Sequence, residues 1–371
     1  MVFANLFFLY LFLPVNLLLY FGTKNRAFRN AVLIFFSLFF YAWGEPVWVT
    51  LLIFSATIDY FHGLIIEKHR NDIGAKLALI SSLVLNLGLL GIFKYSGFFV
   101  ENINAVTGLA LPVPDFALPI GISFYTFQTL SYTIDVYKGN VEPQHNYMKF
   151  FMYVSLYTQL VAGPIVKASD FIPQLYKHYH LGRRQFGIAI FWILNGLAKK
   201  IILSDYIAVN FIDRVFENPL LFTGFENLAA LFGYSLQVYA DFSGYTDIAI
   251  GVAMLMGFYL PQNFDSPYKA PNPQDFWRRW HISLGEWMKD YLFYPLAFSP
   301  FFTKLTKKAR GILPAETVKR ITPCLCTFIV FLAVGVWQGP GFANIAYGLW
   351  NGFWMSLGLL AVPFFARHKD K

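Results

Sequence analysis

His281 stands in PNPQDFWRRWHISLGEWMKDYLFYPL, Pro271 to Leu296, with Trp277, Trp280 and Trp287 around it. An imidazole is the side chain best suited to exchange a proton with a hydroxyl near neutral pH. A lone histidine can equally be a hydrogen-bonded structural group. A second stretch, VWQGPGFANIAYGLWNG from Val336 to Gly352, carries two amides, Gln338 and Asn351, with two tryptophans, four glycines and no charged residue. An amide donates and accepts hydrogen bonds but has no useful basicity. A third stretch, YADFSGYTDIAIG from Tyr239 to Gly251, places Asp241 and Asp247 at the membrane-facing end of an apolar run. Acids there are costly unless paired or wet. They could orient a histidine, bind a cation, or pair structurally with Arg278 or Arg279.

The elements that position these residues are apolar. Of 371 residues, 57% are hydrophobic, 20% aromatic and 13% charged, with a mean hydropathy of +0.49. That is more apolar surface than one soluble core can hide. The chain therefore reads as an all-α polytopic membrane protein, since a β-barrel would show alternating segments instead. The net charge of +8 sits between apolar runs and reads as positive-inside loops, which explain the excess without nucleic acid as a partner. Leu6 to Phe21 reads as a first span rather than a signal peptide, and Lys24, Arg26 and Arg29 after it put that loop in the cytoplasm. Cys324 and Cys326, two apart in an apolar run, read as buried free thiols and not as a metal or disulfide pair.

Further runs include Leu77 to Phe93, Phe186 to Leu197, Ile201 to Phe211, Leu228 to Tyr239, Ile248 to Leu260, Ile321 to Trp337 and Phe342 to Phe365. Together the apolar runs predict roughly nine to eleven spans with re-entrant and interfacial helices, in one domain covering 1–371. Leu118 to Gly139, with Pro119, Gly121 and many hydroxyls, suits either a broken segment or an ordinary helix. Asn272, Pro273 and Asp275 signal a helix start. From there one amphipathic helix is expected, with Trp277, Trp280, Leu284, Trp287, Met288 and Tyr291 on the apolar face and Arg278, Arg279, Ser283, Glu286, Lys289 and Asp290 opposite. His62, His69, His145, His178, His180 and His368 read as lying in or near polar loops. Gly339-Pro340-Gly341 must break the helix before it, leaving Gln338 at a discontinuity; Asn344, Tyr347 and Asn351 recur at helical spacing beyond it. That stripe suits tunnel lining or interhelical hydrogen bonding. The motifs G-x-S-x-G, H-E-x-x-H and G-x-x-x-x-G-K-[ST] are absent, which argues against a serine hydrolase, a zinc protease and an ATP-driven pump.

The run SLQVYADFSGYTDIAIGVAMLMGFYLPQNFDSPYKAPNPQDFWRRWHISLGEWMKDYLFYPL, with LPIGISFYTFQTLSYTIDVYKG and QLVAGPIV, resembles the membrane-bound O-acyltransferase family. The likeness is to its bacterial branch, which includes the alginate O-acetylation membrane protein and the teichoic-acid D-alanyl transfer protein, and is strongest over 118–352. It implies a helical ring around a central tunnel. It also implies a multi-pass protein of the bacterial inner membrane that moves an acyl group, expected to be acetyl, from a cytoplasmic thioester to hydroxyls of an extracytoplasmic polysaccharide such as alginate or a wall polymer. The donor would be acetyl-CoA or an acyl-carrier protein as substrate, with no bound cofactor or metal. A periplasmic or membrane-anchored acetyltransferase and a cytoplasmic acyl-carrier protein are the implied partners, besides the lipid bilayer. His281 matches the family's R-W-H histidine and is the expected catalytic residue. The family's W-H-G histidine position is Gln338 here, and the later H-G position is Asn351. Gln338 would then orient donor or acceptor, with Asn351, Asn344, Trp337, Asp241, Asp247, Arg278 and Arg279 as expected substrate-binding residues. The alternatives are a non-catalytic scaffold or acyl conduit, D-alanyl transfer to teichoic acid, an altered or shortened chain lacking C-terminal spans, or, from broken helices alone, a small-solute transporter.

Overall fold

The computed structural model describes residues 1–368 except Glu45 and His178, with side chains described as far as residue 361. Among the described residues the structure is helical without strands, apart from an isolated bridge between Phe264 and Trp280. Among the described residues, four helices are long and apolar enough to cross a membrane: Val49–Lys68, Ile73–Thr107, Arg183–Glu217 and Ala315–Gln338. Two compact units divide the chain, one comprising Met1–Asn86 with Pro119–Asn263 and the other Leu87–Leu118 with Phe264–Lys371.

The first unit holds helices α1 (Phe8–Phe21), α2 (Arg26–Ala42) and α3 (Val49–Lys68), then the start of α4 (Ile73–Thr107). After these come α5 (Ile122–Lys138), α6 (Tyr147–Ser155), α7 (Arg183–Glu217) and α8 (Gly224–Leu255). Segments that hydropathy divides are continuous here. Phe186 to Leu197 and Ile201 to Phe211 form one helix, α7, across the dividing Lys199-Lys200 because Ala198–Asp205 winds as a π-helix. Leu228 to Tyr239 and Ile248 to Leu260 join in α8 as far as Leu255, so YADFSGYTDIAIG lies within a helix rather than at its membrane-facing end. Glycines make that packing possible. A Cβ at Gly244 would stand 2.8 Å from the Gly196 carbonyl oxygen, and one at Gly251 would stand 2.6 Å from the Ala189 oxygen.

Helix α5 resolves the Leu118–Gly139 alternatives as an ordinary helix, started by Gly121 in the left-handed region (φ 77°). A Cβ on Gly121 would collide with the Leu160 carbonyl oxygen. Gln128 on α5 donates through Nε2 to the Tyr153 carbonyl at 2.6 Å and to Gln159 Oε1 at 2.9 Å. The backbone breaks at Leu156 between α6 and a short turn, Tyr157–Leu160, and the break is wholly buried. Irregular backbone at membrane depth is tolerated when protein covers it in this way.

His62 corrects the loop reading of the histidines, because it is a buried residue of α3. Its Nδ1 lies 3.2 Å from Asp59 Oδ1 and its Nε2 3.1 Å from Ser81 Oγ. Asp59, fully buried, also accepts from Ser82 Oγ at 2.6 Å and Asn86 Nδ2 at 2.7 Å. The aspartate thus ties α3 to α4, and removing it orphans several buried donors at once. Asp59→Ala is expected to cost about 1–3 kcal/mol of stability, read as a lower unfolding temperature in detergent. Glu142→Ala, in an exposed loop, should leave that temperature within error.

Candidate functional site

The second unit holds the remainder of α4, then α9 (Pro273–Arg279), α10 (Ile282–Met288), α11 (Ala315–Gln338) and α12 (Phe342–His368). Asn272 caps α9 as its sequence signals, its side-chain oxygen accepting from the Asp275 N–H at 2.8 Å. The single amphipathic helix expected from there is not formed. It stops at Arg279, Trp280 runs extended, and His281 takes a left-handed conformation (φ 46°) before α10 starts. The reason is a competing pairing. Trp280 bridges to Phe264, and the Arg279 carbonyl accepts from the Asp265 N–H at 3.0 Å. Left-handed backbone on a residue with a Cβ costs roughly 1–2 kcal/mol, and such strain concentrates at functional positions.

His281 and Gln338 line the same cavity, of about 340 Å³. Trp277, Trp280, Leu284 and Met288 form one wall, and Val330, Phe331 and Val334 of α11 form another. Four residues of the expected apolar face therefore share one space, whereas Trp287 and Tyr291 do not line it and Lys289, expected on the opposite face, does. His281 is only 5% exposed, and burial pushes its imidazole down to about 3. It is therefore neutral near pH 7, and in the empty cavity a weaker base than a free imidazole. The Trp337 ring lies 6.3 Å from it, centroid to centroid.

Helix α11 ends at Gln338, and its last carbonyls have no partner within the helix. Two residues of α4 supply them: the Lys94 ammonium donates to the Trp337 carbonyl, and the Tyr95 hydroxyl donates to the Val336 carbonyl at 2.6 Å. Hydropathy alone misses both, since Lys94 marks only the end of the apolar run Leu77 to Phe93. A lysine within a helix able to span a membrane was the available signal. Helices α11 and α12 meet backbone to backbone, and a Cβ on Gly335 would lie 2.5 Å from the Asn344 carbonyl and 2.7 Å from Gly348 Cα. The Asn344 amide nitrogen stands 2.8 Å from the Cβ position of Gly339, against the break itself. Asn351 donates along its own helix to the Tyr347 carbonyl at 2.9 Å and does not line the cavity.

The remaining expected site residues have other partners. Asp247 accepts from Lys199 Nζ and Asn195 Nδ2, each at 2.7 Å, and Asp241 accepts from Lys200 Nζ at 2.5 Å. Structural pairing is correct for both acids, but the cations are lysines of α7, not Arg278 or Arg279. Those arginines converge on Asp275, with Arg279 Nε at 2.7 Å, and Arg279 also reaches Asp265. Arg279 holds the Asp275 carboxyl below the usual range. Neither arginine lines the cavity. Among the described residues, no group of three His, Cys, Asp or Glu side chains could hold a metal ion.

A multi-pass helical membrane protein with a histidine and an amide on one cavity is the class that fold and site define. The membrane-bound O-acyltransferase family profile matches residues 142–310. A probable alginate O-acetylase of Pseudomonas aeruginosa is 36% identical over 374 residues, covering 98% of this chain and 68% of that protein. A peptidoglycan O-acetyltransferase of Helicobacter pylori is 34% identical over 387 residues, covering 96% and 70%. A teichoic acid D-alanyltransferase of Bacillus subtilis is 29% identical over 244 residues, covering 64% and 58%. The chain belongs to the membrane-bound O-acyltransferase family.

Two outcomes follow from this geometry. The unfolded chain protonates this histidine near 6.5 and the folded protein only near 3, so below about pH 6.5 the unfolded state binds more protons. Stability should fall as pH drops through that window. His281→Gln, compared by thermal unfolding across pH 4 to 7, should show a flatter slope than wild type. Gly335→Leu should separate α11 from α12 and lower the unfolding temperature by several degrees, whereas Gly285→Ala, where a Cβ meets open space, should not.

Proposed function

We propose that the chain is a bacterial inner-membrane O-acyltransferase that transfers an acyl group, acetyl by its relatives' names, to hydroxyls of an extracytoplasmic polysaccharide. The observation that carries this reading is the shared cavity of His281 and Gln338. The donor is an acyl thioester, acetyl-CoA or a loaded acyl-carrier protein, presented from the cytoplasmic side. The acceptor is a hydroxyl of the polymer or of a periplasmic or membrane-anchored acetyltransferase that passes the group on.

In this mechanism neutral His281 takes the hydroxyl proton as the oxygen bonds to the thioester carbonyl carbon. The Gln338 amide donates a hydrogen bond to the oxyanion that develops. The C–S bond then breaks, and the imidazolium returns its proton to the departing thiolate. Apolar walls exclude water that would otherwise hydrolyse the donor. Trp337 and Asn344 shape the break that holds Gln338, while Asn351, Asp241, Asp247, Arg278 and Arg279 support the surrounding structure.

A second reading has one specific observation in its favour: Gln338, which cannot act as a base, stands where the family resemblance places a histidine. The chain would then be a scaffold or acyl conduit. The two readings separate in cells lacking the gene and complemented with variants. Under the catalytic reading, His281→Ala should lower polymer O-acetyl content by roughly 10²-fold or more at unchanged protein level. Gln338→Ala should lower it by about 10-fold or more. Wild-type acetylation in both variants supports the scaffold, and equal acetylation with and without the gene sinks both readings. D-alanyl ester content measured alongside tests transfer to teichoic acid.

A further inference from the structure

We infer that the first unit carries a binding site for a phosphate-bearing ligand, in a pocket of about 430 Å³ beside the start of α2. Three cations line it, Arg26, Arg29 and Lys177, against one carboxylate, Asp170. None of the three cations takes part in an ion pair among the described residues. The arginines are held by neutral groups instead. Arg26 Nη1 donates to the Tyr176 carbonyl at 2.6 Å, and Arg29 Nε donates to the Thr23 carbonyl at 2.7 Å. The Arg29 guanidinium also sits 5.0 Å from the centroid of the Tyr20 ring. Carbonyls and rings fix a guanidinium without cancelling its charge, and each arginine keeps N–H donors for a further acceptor.

The rest of the wall is braced before any ligand arrives. Tyr20 and Tyr179, both lining the pocket, donate to the Met256 and Met254 carbonyls at 2.8 and 2.9 Å. Gln174 clamps Tyr259 from both sides, accepting from its N–H at 2.8 Å and donating to its carbonyl at 3.1 Å. Gly257 turns through the left-handed region (φ 89°) with the Tyr179 ring where a Cβ would stand. A braced pocket with excess positive charge and N–H donors in fork geometry matches a tetrahedral phosphate, and loses little entropy on binding it. The charge bias of the Lys24 to Arg29 loop assigns the pocket to the cytoplasmic face. Two phosphate sources exist there: the headgroup of an anionic phospholipid, and the phosphorylated end of a soluble nucleotide-like ligand. The site holds whether or not the cavity of the second unit transfers acyl groups.

The test uses the full chain in nanodiscs. In phosphatidylcholine alone, adenosine 3′,5′-bisphosphate and inorganic pyrophosphate are titrated by calorimetry. In mixed phosphatidylcholine and phosphatidylglycerol, retained lipid is read by native mass spectrometry. One phosphate ligand should bind in at least one arm, with Arg26→Gln or Lys177→Gln weakening it about tenfold or more. Arg26→Lys should recover part of the loss. Thermal unfolding of each variant checks the fold, and Lys177, which makes no ion pair among the described residues, serves where an arginine variant unfolds. Binding in the calorimetric arm alone identifies a soluble ligand, and selective retention of phosphatidylglycerol alone identifies a headgroup. No binding in either arm, or binding unmoved by all the glutamine variants that fold, overturns the inference.

Discussion

In hydrocarbon, a backbone N–H or C=O without a partner costs several kcal/mol, so a helix can stop inside a membrane protein only where other groups take its ends. In the second unit this constraint accompanies the cavity shared by His281 and Gln338. Helix α11 stops at Gln338 because Gly339-Pro340-Gly341 follow it, and Lys94 and Tyr95 bond its last carbonyls. Helix α9 stops at Arg279 because the Phe264–Asp265 backbone pairs with Arg279 and Trp280. Each stop delivers one polar side chain, Gln338 and His281, to the same cavity.

The same constraint explains the polar side chains that are not at the cavity. Asp59, Asp241 and Asp247 lie in or beside apolar helices, and each has partners that share its charge or its lone pairs. The glycines at 196, 244 and 251 in one unit, and at 335 and 348 in the other, let helices meet at backbone distance. Close packing of that kind substitutes in lipid for the hydrophobic drive available in water.

Much of this was legible in the sequence, for identifiable reasons. Hydropathy gave the helical membrane class, Asn272 and Pro273 gave a helix start, and Gly339-Pro340-Gly341 gave the break that positions Gln338. The break at His281 left no trace, since no glycine or proline marks it and its cause is a pairing with Phe264 on another segment. The lysine partners of Asp241 and Asp247 were hidden because Lys199-Lys200 reads as a loop between two spans, whereas a π-helical turn carries the chain through it. His62 and Lys94 were hidden likewise, since a hydropathy window registers a polar residue as an interruption and says nothing of what satisfies it.

The central claim is the proposed one, that the cavity is an acyl-transfer site with His281 as base and the Gln338 amide as hydrogen-bond donor. The most direct measurement is single-turnover acyl transfer by purified protein in proteoliposomes, comparing wild type with Gln338→His and Gln338→His combined with His281→Ala. The account predicts transfer in wild type, faster transfer in Gln338→His, and a large loss when His281 is also removed. No transfer in wild type or in Gln338→His, from folded protein and a donor that a related acyltransferase consumes in the same assay, would contradict it.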